Sequence, residues 1–203
     1  MNRVILSAST DETILAVTRQ HKLVDLEIEQ QINTEIVGCI YKGVVKNIVP
    51  AVDGIFVDIG IGKNAFLRRK DLLNEKRFPT EGSPILAQVI KSDTDMKGAL
   101  ITEKISMFGK YAVTLSGTGY IGVSKKIRQE SVRKRLKEIG KEICAEHMGL
   151  IIRTAAENAD MDEFRKDITR LKENWDIIQK RFRMEKSPTL LYSCLLYTSD
   201  AAD

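Results

Sequence analysis

Two phenylalanines, Phe56 and Phe66, lie on either side of a glycine-rich turn in the segment GIFVDIGIGKNAFL (residues 54–67). Aromatic rings on the surface of a small β-barrel stack on nucleobases with little sequence preference, at about 1–3 kcal/mol per base. Lysine side chains nearby would attract the phosphate backbone. Four are candidates: Lys42, Lys46, Lys63 and Lys97. The segment therefore indicates a surface for single-stranded nucleic acid; the alternative is that both rings belong to the barrel core.

The same turn satisfies the pattern G-x-G-x-x-A from Gly60 to Ala65, which is a weak indication of a dinucleotide site. Such a site needs a helix directly after the glycines, so that its N-terminus faces the pyrophosphate. Here the residues FL and then a charged connection follow. We therefore reject a nucleotide cofactor.

The charge is unevenly distributed along the chain, whose net charge is +4. Residues 1–60 contain five Lys or Arg and eight Asp or Glu, whereas residues 125–142 contain eight Lys or Arg and three Glu. A basic segment after an acidic one favours a polyanionic partner. The alternative is an ordinary solvated helix face.

Composition restricts the class of protein. The 203 residues are 43% hydrophobic and 30% charged, as in folded soluble proteins. No apolar run approaches the ~20 residues that span a bilayer, and no signal peptide is apparent, so we expect a cytoplasmic protein without a membrane partner. The three cysteines and two histidines show no metal-ligand spacing, which argues against a disulfide framework or a zinc site. They are Cys39, Cys144, Cys194, His21 and His147.

Strand and helix patterns predict an α+β protein with three parts. In residues 1–36 the stretches 3–8 and 13–19 and the alternating LVDLEIE form a meander of three strands. Three short strands cannot make a core of their own, so we expect them to pair with a later segment. The acids of these strands and of the next, including Asp25, Asp53 and Asp58, are interpreted as exposed strand or turn residues.

Residues 37–106 contain five strands and one longer connection that carries two prolines. The first strand is long and stops at Pro50. This arrangement predicts a small closed barrel of the OB type.

Residues 107–193 predict a hairpin around Gly117–Gly119, a helix, the buried strand GLIIRT, and a long helix that begins near Asp160. Asp160 and Glu163 have the spacing of a capping box. The apolar residues of each helix recur at steps of three and four, so Trp175 is assigned to the core. They are Val132, Leu136, Ile139 and Ile143 in the first helix, and Phe164, Ile168, Leu171, Trp175, Ile178 and Phe182 in the second.

The last ten residues, CLLYTSDAAD, continue no periodicity and match the translation of a transposon-end sequencing adapter. We therefore exclude residues 194–203 from the fold as an artefact. The expectation that follows is that the natural coding sequence continues beyond Ser193 and that this chain is an N-terminal fragment.

Several blocks of the chain resemble the bacterial ribonuclease E/G family, in the order in which that family carries them. YKGVVKNIVPAVDGIFVDIGIGKNAFL resembles its S1-type RNA-binding domain, and KGALITEKIS, GVSKKI, GLIIRTAAE and DITRLKENWDII resemble the segments that follow. The blocks look closer to its ribonuclease G branch and cover residues 1–193. The resemblance implies a partial RNase H-like subdomain over 1–36, the S1-type barrel over 37–106 and a 5′-sensor region over 107–193.

The resemblance further implies an endoribonuclease that cleaves single-stranded RNA in RNA processing and decay, and that prefers a 5′-monophosphate end. It places RNA contacts in the barrel and a phosphate sensor after it. The RNA-contacting positions are Phe56, Phe66 and Lys97, and the sensor positions are Gly109, Val113, Arg153 and Thr154.

The chemistry of these sensor residues suits a terminal phosphate. The Arg153 guanidinium can present two parallel donors, the Thr154 hydroxyl adds one, and the Gly109 N–H can approach closely because glycine has no Cβ. Such a site fits a monophosphate and would exclude a triphosphate by size and charge. The alternatives are an Arg153 paired to a nearby acid and a Thr154 that caps a turn.

In the family, cleavage uses Mg²⁺ held by two aspartates in a later domain, and a C-x-x-C pair there joins protomers through Zn²⁺. This chain has neither motif. We therefore expect only the full-length protein to bind both metals and to form a homo-oligomer. The chain itself would bind single-stranded RNA without cleaving it. A non-catalytic RNA-binding module is the alternative, and a scaffold that binds only protein is a third.

Overall fold

The computed structural model describes residues 2–8, 12–20, 22–30, 36–94, 97–144 and 148–193. The ten residues interpreted as an adapter, and with them Cys194, lie outside the described residues, as do His21 and His147. The described residues form three sheets and two helices, which confirms the α+β class.

The N-terminal sheet is an antiparallel meander, as the sequence predicts. Strands β1 (Asn2–Ala8), β2 (Glu12–Arg19) and β3 (Lys22–Gln30) pair in the order β1-β2-β3. Among the described residues no later strand joins this sheet, so the expected pairing with a later segment is not found there.

The second sheet closes into a five-stranded barrel. Its strands are β4 (Ile40–Val49), β5 (Gly54–Asp58), β6 (Ala65–Arg68), β7 (Pro84–Lys91) and β8 (Leu100–Thr102). They pair in the order β4-β5-β6-β8-β7, and β4 also pairs with β7, so the sheet has no open edge between these two strands. The pair β6–β8 is parallel and the other pairs are antiparallel. The predicted OB-type barrel is confirmed.

Alternation of side chains along the barrel strands separates its core from its surface. Ile55, Val57, Leu67 and Ile101 are fully buried inside the barrel, and the residues between them on the strands point outward. Pro50 begins a short 3₁₀ turn where β4 stops, because proline supplies no N–H to continue the ladder.

The third sheet has four strands, β9 (Ser106–Phe108), β10 (Ala112–Ser116), β11 (Ile121–Val123) and β12 (Met148–Ile152), in the order β11-β12-β10-β9. The predicted hairpin around Gly117–Gly119 is wrong, because β12 inserts between β10 and β11. β11 and β12 run parallel and are joined through helix α1 (Glu130–Ile143), the usual crossover between parallel neighbours. A turn sequence alone does not show that a later strand will insert.

Helix α2 (Met161–Met184) follows the four-stranded sheet. Asp160 is its N-cap and accepts the N–H groups of Asp162 and Glu163, as the sequence predicts. The predicted stripes of α1 and α2 pack into one core with the sheet, and Trp175 is partly buried there. Within the described part of the chain, no helix is long and apolar enough to cross a membrane.

After α2, strand β13 (Thr189–Tyr192) returns to the barrel and pairs with the start of β4. Two cations secure this return. Arg181 near the end of α2 donates to the carbonyls of Leu190 and Leu191, and Lys42 of β4 donates to the Glu185 carbonyl at 2.6 Å. The barrel and the helical part are therefore joined by main-chain pairing as well as by side chains.

Candidate nucleic-acid interface

Phe56 and Phe66 face each other on the outer surface of the barrel. They are directly paired across β5 and β6, and their ring centroids lie 5.4 Å apart at 51°. Phe56 is 36% exposed and Phe66 is half-buried, and neither belongs to the barrel core. The alternative that both rings are core residues is therefore wrong, whereas their contact with RNA stays a prediction.

Gly54 leaves the space that the Phe66 ring occupies. A Cβ at residue 54 would lie 2.3 Å from two ring carbons of Phe66, so any other residue would displace the ring. The sequence analysis did not single out this glycine. Its position opposite the end of β6 becomes apparent only with the β5–β6 register, in which Gly54 pairs with Arg68.

The four candidate lysines have different environments. Lys97 is exposed at the turn before β8, where its N–H bonds the Thr94 carbonyl, and the Lys63 ammonium donates to that same carbonyl at 2.9 Å. Lys46 forms a 3.3 Å ion pair with Asp58. These three lie on the outside of the barrel.

Lys42 does not fit the predicted role of a cation for the RNA backbone. It is 8% exposed, donates to the end of α2, and lies 5.1 Å from the centre of the Phe182 ring. Burial between the barrel and α2 explains the difference, because Lys42 lies in the part of β4 that pairs with both β7 and β13.

Arg153 follows β12 directly and is exposed. Its Nη1 donates to the Gly109 carbonyl at 2.9 Å. Arg153 forms no ion pair among the described residues. The alternative, in which a nearby acid neutralises this arginine, is therefore wrong for this structure. This hydrogen bond orients the guanidinium and uses one of its five N–H donors.

Thr154 lies beside Ser124, with 3.1 Å between the two hydroxyl oxygens. Ser124 follows β11 and Thr154 follows Arg153, so the parallel pairing of β11 and β12 brings their ends together. Two exposed lysines, Lys125 and Lys126, come directly after Ser124. The sequence analysis missed Ser124 as a site residue, although the block GVSKKI contains it.

Gly109 contacts Arg153 through its carbonyl and not through its N–H. Its N–H donates to the Ala112 carbonyl at 2.8 Å, so the expected approach of that N–H to a phosphate is not open in this structure. Glycine is required for a different reason. A Cβ at residue 109 would lie 2.5 Å from the Oδ2 atom of Asp167.

Asp167 of α2 fixes the turn between β9 and β10. Its carboxylate is 7% exposed and accepts the N–H groups of Lys110 at 3.2 Å and Tyr111 at 2.8 Å. Arg170 pairs with it at 3.0 Å. Because the turn carries Gly109, the position of the carbonyl that Arg153 binds depends on Asp167.

A second acid of α2, Glu163, reinforces the same turn. Its Oε2 accepts the Tyr111 hydroxyl at 2.5 Å and the Lys110 ammonium at 3.1 Å. The Tyr111 hydrogen bond, followed by that of Lys110, lowers the pKa of the Glu163 carboxyl. Glu163 therefore acts at this turn, rather than mainly through the predicted capping box.

Val113 is half-buried on β10, where it pairs with Phe108 on one side and Ile151 on the other. Ile151 is 39% exposed, which corrects the prediction that GLIIRT is an entirely buried strand. The helices cover one face of the four-stranded sheet and leave Ile151 on the other.

The described residues do not fit the metals expected of the full-length protein. They contain no group of three or more His, Cys, Asp or Glu side chains that could hold a metal ion. Burial raises the pKa of the Cys144 thiol to about 11, so in this structure the thiol is protonated near neutral pH.

Comparison with known families agrees with this arrangement. Residues 34–102 match the S1 RNA binding domain, which covers the barrel, and residues 106–201 match the Ribonuclease E/G family.

The chain is also similar to individual characterised proteins. It is 33% identical to ribonuclease G of Escherichia coli K12 over 93% of this chain and 42% of that protein. It is 34% identical to ribonuclease G of Haemophilus influenzae over 92% of this chain and 41% of that protein. It is 33% identical to ribonuclease E of Synechocystis over 81% of this chain and 26% of that protein. The chain thus spans less than half the length of these relatives.

The substitution Asp167→Ala tests the role of the buried carboxylate. It leaves the N–H groups of Lys110 and Tyr111 without their acceptor, at about 1–3 kcal/mol for each buried donor. We expect the free energy of unfolding, from urea titration followed by circular dichroism, to fall by about 2–6 kcal/mol. Asp176→Ala is the matched control, because Asp176 is an exposed acid of the same helix. Equal stability of the two variants would contradict the assignment.

Proposed function

We propose that the chain, whose residues 106–201 match the Ribonuclease E/G family and whose residues 34–102 match the S1 RNA binding domain, is the RNA-recognition part of an endoribonuclease for single-stranded RNA. In this proposal residues 37–106 bind the RNA strand and residues 107–193 recognise its 5′ end. Residues 1–36 belong to an RNase H-like subdomain. The protein acts in the cytoplasm in RNA processing and decay, as part of a homo-oligomer.

The observation that carries the proposal is a pair of contacts made by two consecutive residues, Arg153 with the Gly109 carbonyl and Thr154 with the Ser124 hydroxyl. The Arg153 guanidinium is held by one carbonyl, and the two hydroxyls are in contact with each other. No acid among the described residues forms an ion pair with this guanidinium. Together these features favour a small anion. The exposed lysines at 125 and 126 add positive charge. We assign this group to a 5′-terminal monophosphate, with Val113 beside it.

The exposed pair Phe56 and Phe66 supports the second half of the proposal. Two tilted rings on neighbouring strands offer π-faces to unpaired bases, and Lys97 and Lys63 lie at one nearby turn. This arrangement binds a single strand and does not require a particular sequence.

Catalysis is assigned to a part of the protein beyond these residues. The described residues hold no metal cluster, and the relatives are more than twice as long as this chain. We propose that Mg²⁺ bound elsewhere in the full-length protein supplies the hydrolytic chemistry, and that Zn²⁺ joins its subunits. A non-catalytic RNA-binding module is the second candidate, and the same absence of a cluster from the described part favours it.

Removal of the guanidinium tests the phosphate site. We expect the chain to bind a 5′-monophosphorylated oligoribonucleotide about 10- to 100-fold more tightly than the same oligomer with a 5′-hydroxyl, since hydrogen bonds to charged groups contribute about 1.5–3 kcal/mol. Arg153→Ala should abolish this preference in fluorescence anisotropy. Arg165→Ala is the control, because that arginine is already paired with Glu142. A preference that survives in Arg153→Ala would overturn the assignment.

Replacement of each barrel phenylalanine by leucine tests the aromatic pair. Leucine keeps the apolar surface and lacks the π-face, so we expect Phe56→Leu and Phe66→Leu to weaken RNA binding about 5- to 100-fold per lost base stack. The loss of affinity should be the same for the oligomer with a 5′-monophosphate and the oligomer with a 5′-hydroxyl. The thermal unfolding midpoint of the protein should stay nearly constant. Leu190→Ala, another exposed strand residue, is the control. A variant with unchanged affinity would remove its ring from the RNA-binding surface.

The location of catalysis is tested with the purified chain, single-stranded RNA and Mg²⁺. We expect no cleavage on a denaturing gel, under conditions in which anisotropy shows that the RNA is bound. Cleavage that increases with added Mg²⁺ and with protein concentration would refute the assignment of catalysis to another part. If a protein carrying the further residues of the gene is equally inactive on this RNA, the non-catalytic module becomes the better interpretation.

A further inference from the structure

An open cleft lies where the barrel, the four-stranded sheet and helix α2 meet. Its volume is about 920 Å³, within the range of about 300–1,000 Å³ that is usual for small-molecule sites. Such sites occur preferentially at junctions between the parts of a protein. None of the residues assigned above to RNA or to a phosphate lines this cleft. We call it the barrel–helix cleft.

Most of the lining of the barrel–helix cleft is apolar. Ile105 and Met148 line it and are almost completely buried, whereas Leu73 and Met184 line it and are exposed. Leu73 lies against the four-stranded sheet, because a Cβ at Gly117 would be 2.6 Å from its Cδ2 atom. The apolar part of a ligand would be withdrawn from water between these side chains.

Helix α2 supplies an aromatic ring and two cations to the same cleft. Trp175, Gln179, Lys180 and Arg183 line it and recur at steps of three and four, so they share one face of the helix. The Trp175 ring is partly buried, and its indole N–H donates to none of the described residues. Lys180 and Arg183 are exposed, and neither forms an ion pair within the described part of the chain.

The two acids of the cleft are already engaged. Asp176 pairs with the Lys172 ammonium at 2.8 Å, and Oε2 of Glu103 accepts the Leu73 N–H at 2.9 Å. Burial raises the pKa of the Glu103 carboxyl, so its charged form is disfavoured there. The two unpaired cations of α2 therefore determine the sign of the ligand, and they favour an anion.

We propose that the barrel–helix cleft binds a nucleotide, with the base against Trp175 and the apolar lining and the phosphate on Lys180 and Arg183. A nucleotide fits because it joins a planar aromatic group to an anion, as the cleft joins an aromatic ring to two cations. These cations disfavour an uncharged apolar segment as the occupant. The inference goes beyond the proposed function and does not depend on the Arg153 site.

The chain reports on this cleft directly, because Trp175 is its single tryptophan. The probe is adenosine 5′-monophosphate, and we expect it to change the tryptophan fluorescence of the whole chain in a saturable way. Adenosine, which lacks the phosphate, should bind about 10- to 100-fold more weakly. Ribose 5-phosphate, which lacks the base, should bind about 5- to 100-fold more weakly.

Two sets of variants locate the probe. The double variant Lys180→Gln, Arg183→Gln should lower the affinity for adenosine 5′-monophosphate about 10- to 100-fold and leave that for adenosine unchanged. Lys166→Gln is the matched control, because Lys166 is an exposed lysine of α2 that does not line the cleft. Arg153→Ala should leave the fluorescence titration unchanged. The changed positions are exposed, so all variants should keep the wild-type circular dichroism spectrum.

A wild-type chain whose fluorescence shows no saturable response to adenosine 5′-monophosphate would overturn the inference. So would a double variant that binds this probe as tightly as the wild type. If Arg153→Ala abolishes the response, the signal comes from the phosphate site and the assignment to the cleft fails. Loss of 5′-end preference in anisotropy, by contrast, bears only on the proposed function.

Competition distinguishes the two sources of such a nucleotide. An oligoribonucleotide with a 5′-hydroxyl that displaces adenosine 5′-monophosphate from the cleft identifies the occupant as one nucleotide of an RNA strand. If the oligomer does not displace the probe at concentrations that saturate the barrel, the occupant is a free mononucleotide.

Discussion

The position of the candidate phosphate site depends on one buried carboxylate. Asp167 lies against Gly109 and accepts two main-chain N–H groups of the β9–β10 turn. A carboxylate removed from water is costly unless its lone pairs are satisfied, and here two N–H donors and Arg170 satisfy them. These hydrogen bonds hold the turn, and with it the Gly109 carbonyl that accepts from Nη1 of Arg153.

A second constraint joins the two candidate binding surfaces. Strand β13 brings the end of α2 back to β4, so the barrel with its phenylalanines and the sheet with Arg153 share main-chain hydrogen bonds. Lys42 is buried at this junction between the Glu185 carbonyl and the Phe182 ring. A ligand that reached both surfaces would lose less entropy at its second contact than at its first, because the first contact already tethers it.

The sequence predicted the parts that depend on local pattern. Alternation and Pro50 defined the barrel strands, and steps of three and four defined α2, because both are properties of neighbouring residues. The insertion of β12 between β10 and β11 is a non-local pairing that turn residues do not indicate. The exposure of Ile151 is also non-local, because the helices cover only one face of that sheet. Asp167 was missed although it interrupts the apolar stripe of α2 between Phe164 and Ile168. An acid at a core-facing position indicates a buried acceptor role, but its partners are distant in the sequence.

The two kinds of contact respond differently to the surroundings. Exposed charges are screened by salt over about 10 Å at 0.1 M, so a guanidinium free to swing would select a phosphate poorly in the cell. In this structure the Arg153 guanidinium is held by its hydrogen bond to the Gly109 carbonyl, so a phosphate that bound there would cost less side-chain entropy. The hydroxyls of Ser124 and Thr154 can each donate or accept, so one can turn its proton to a phosphate while the other supports it. Stacking on aromatic rings is much less sensitive to salt. The barrel phenylalanines and Arg153 therefore offer two kinds of contact, of which salt weakens the charged one and largely spares the aromatic one.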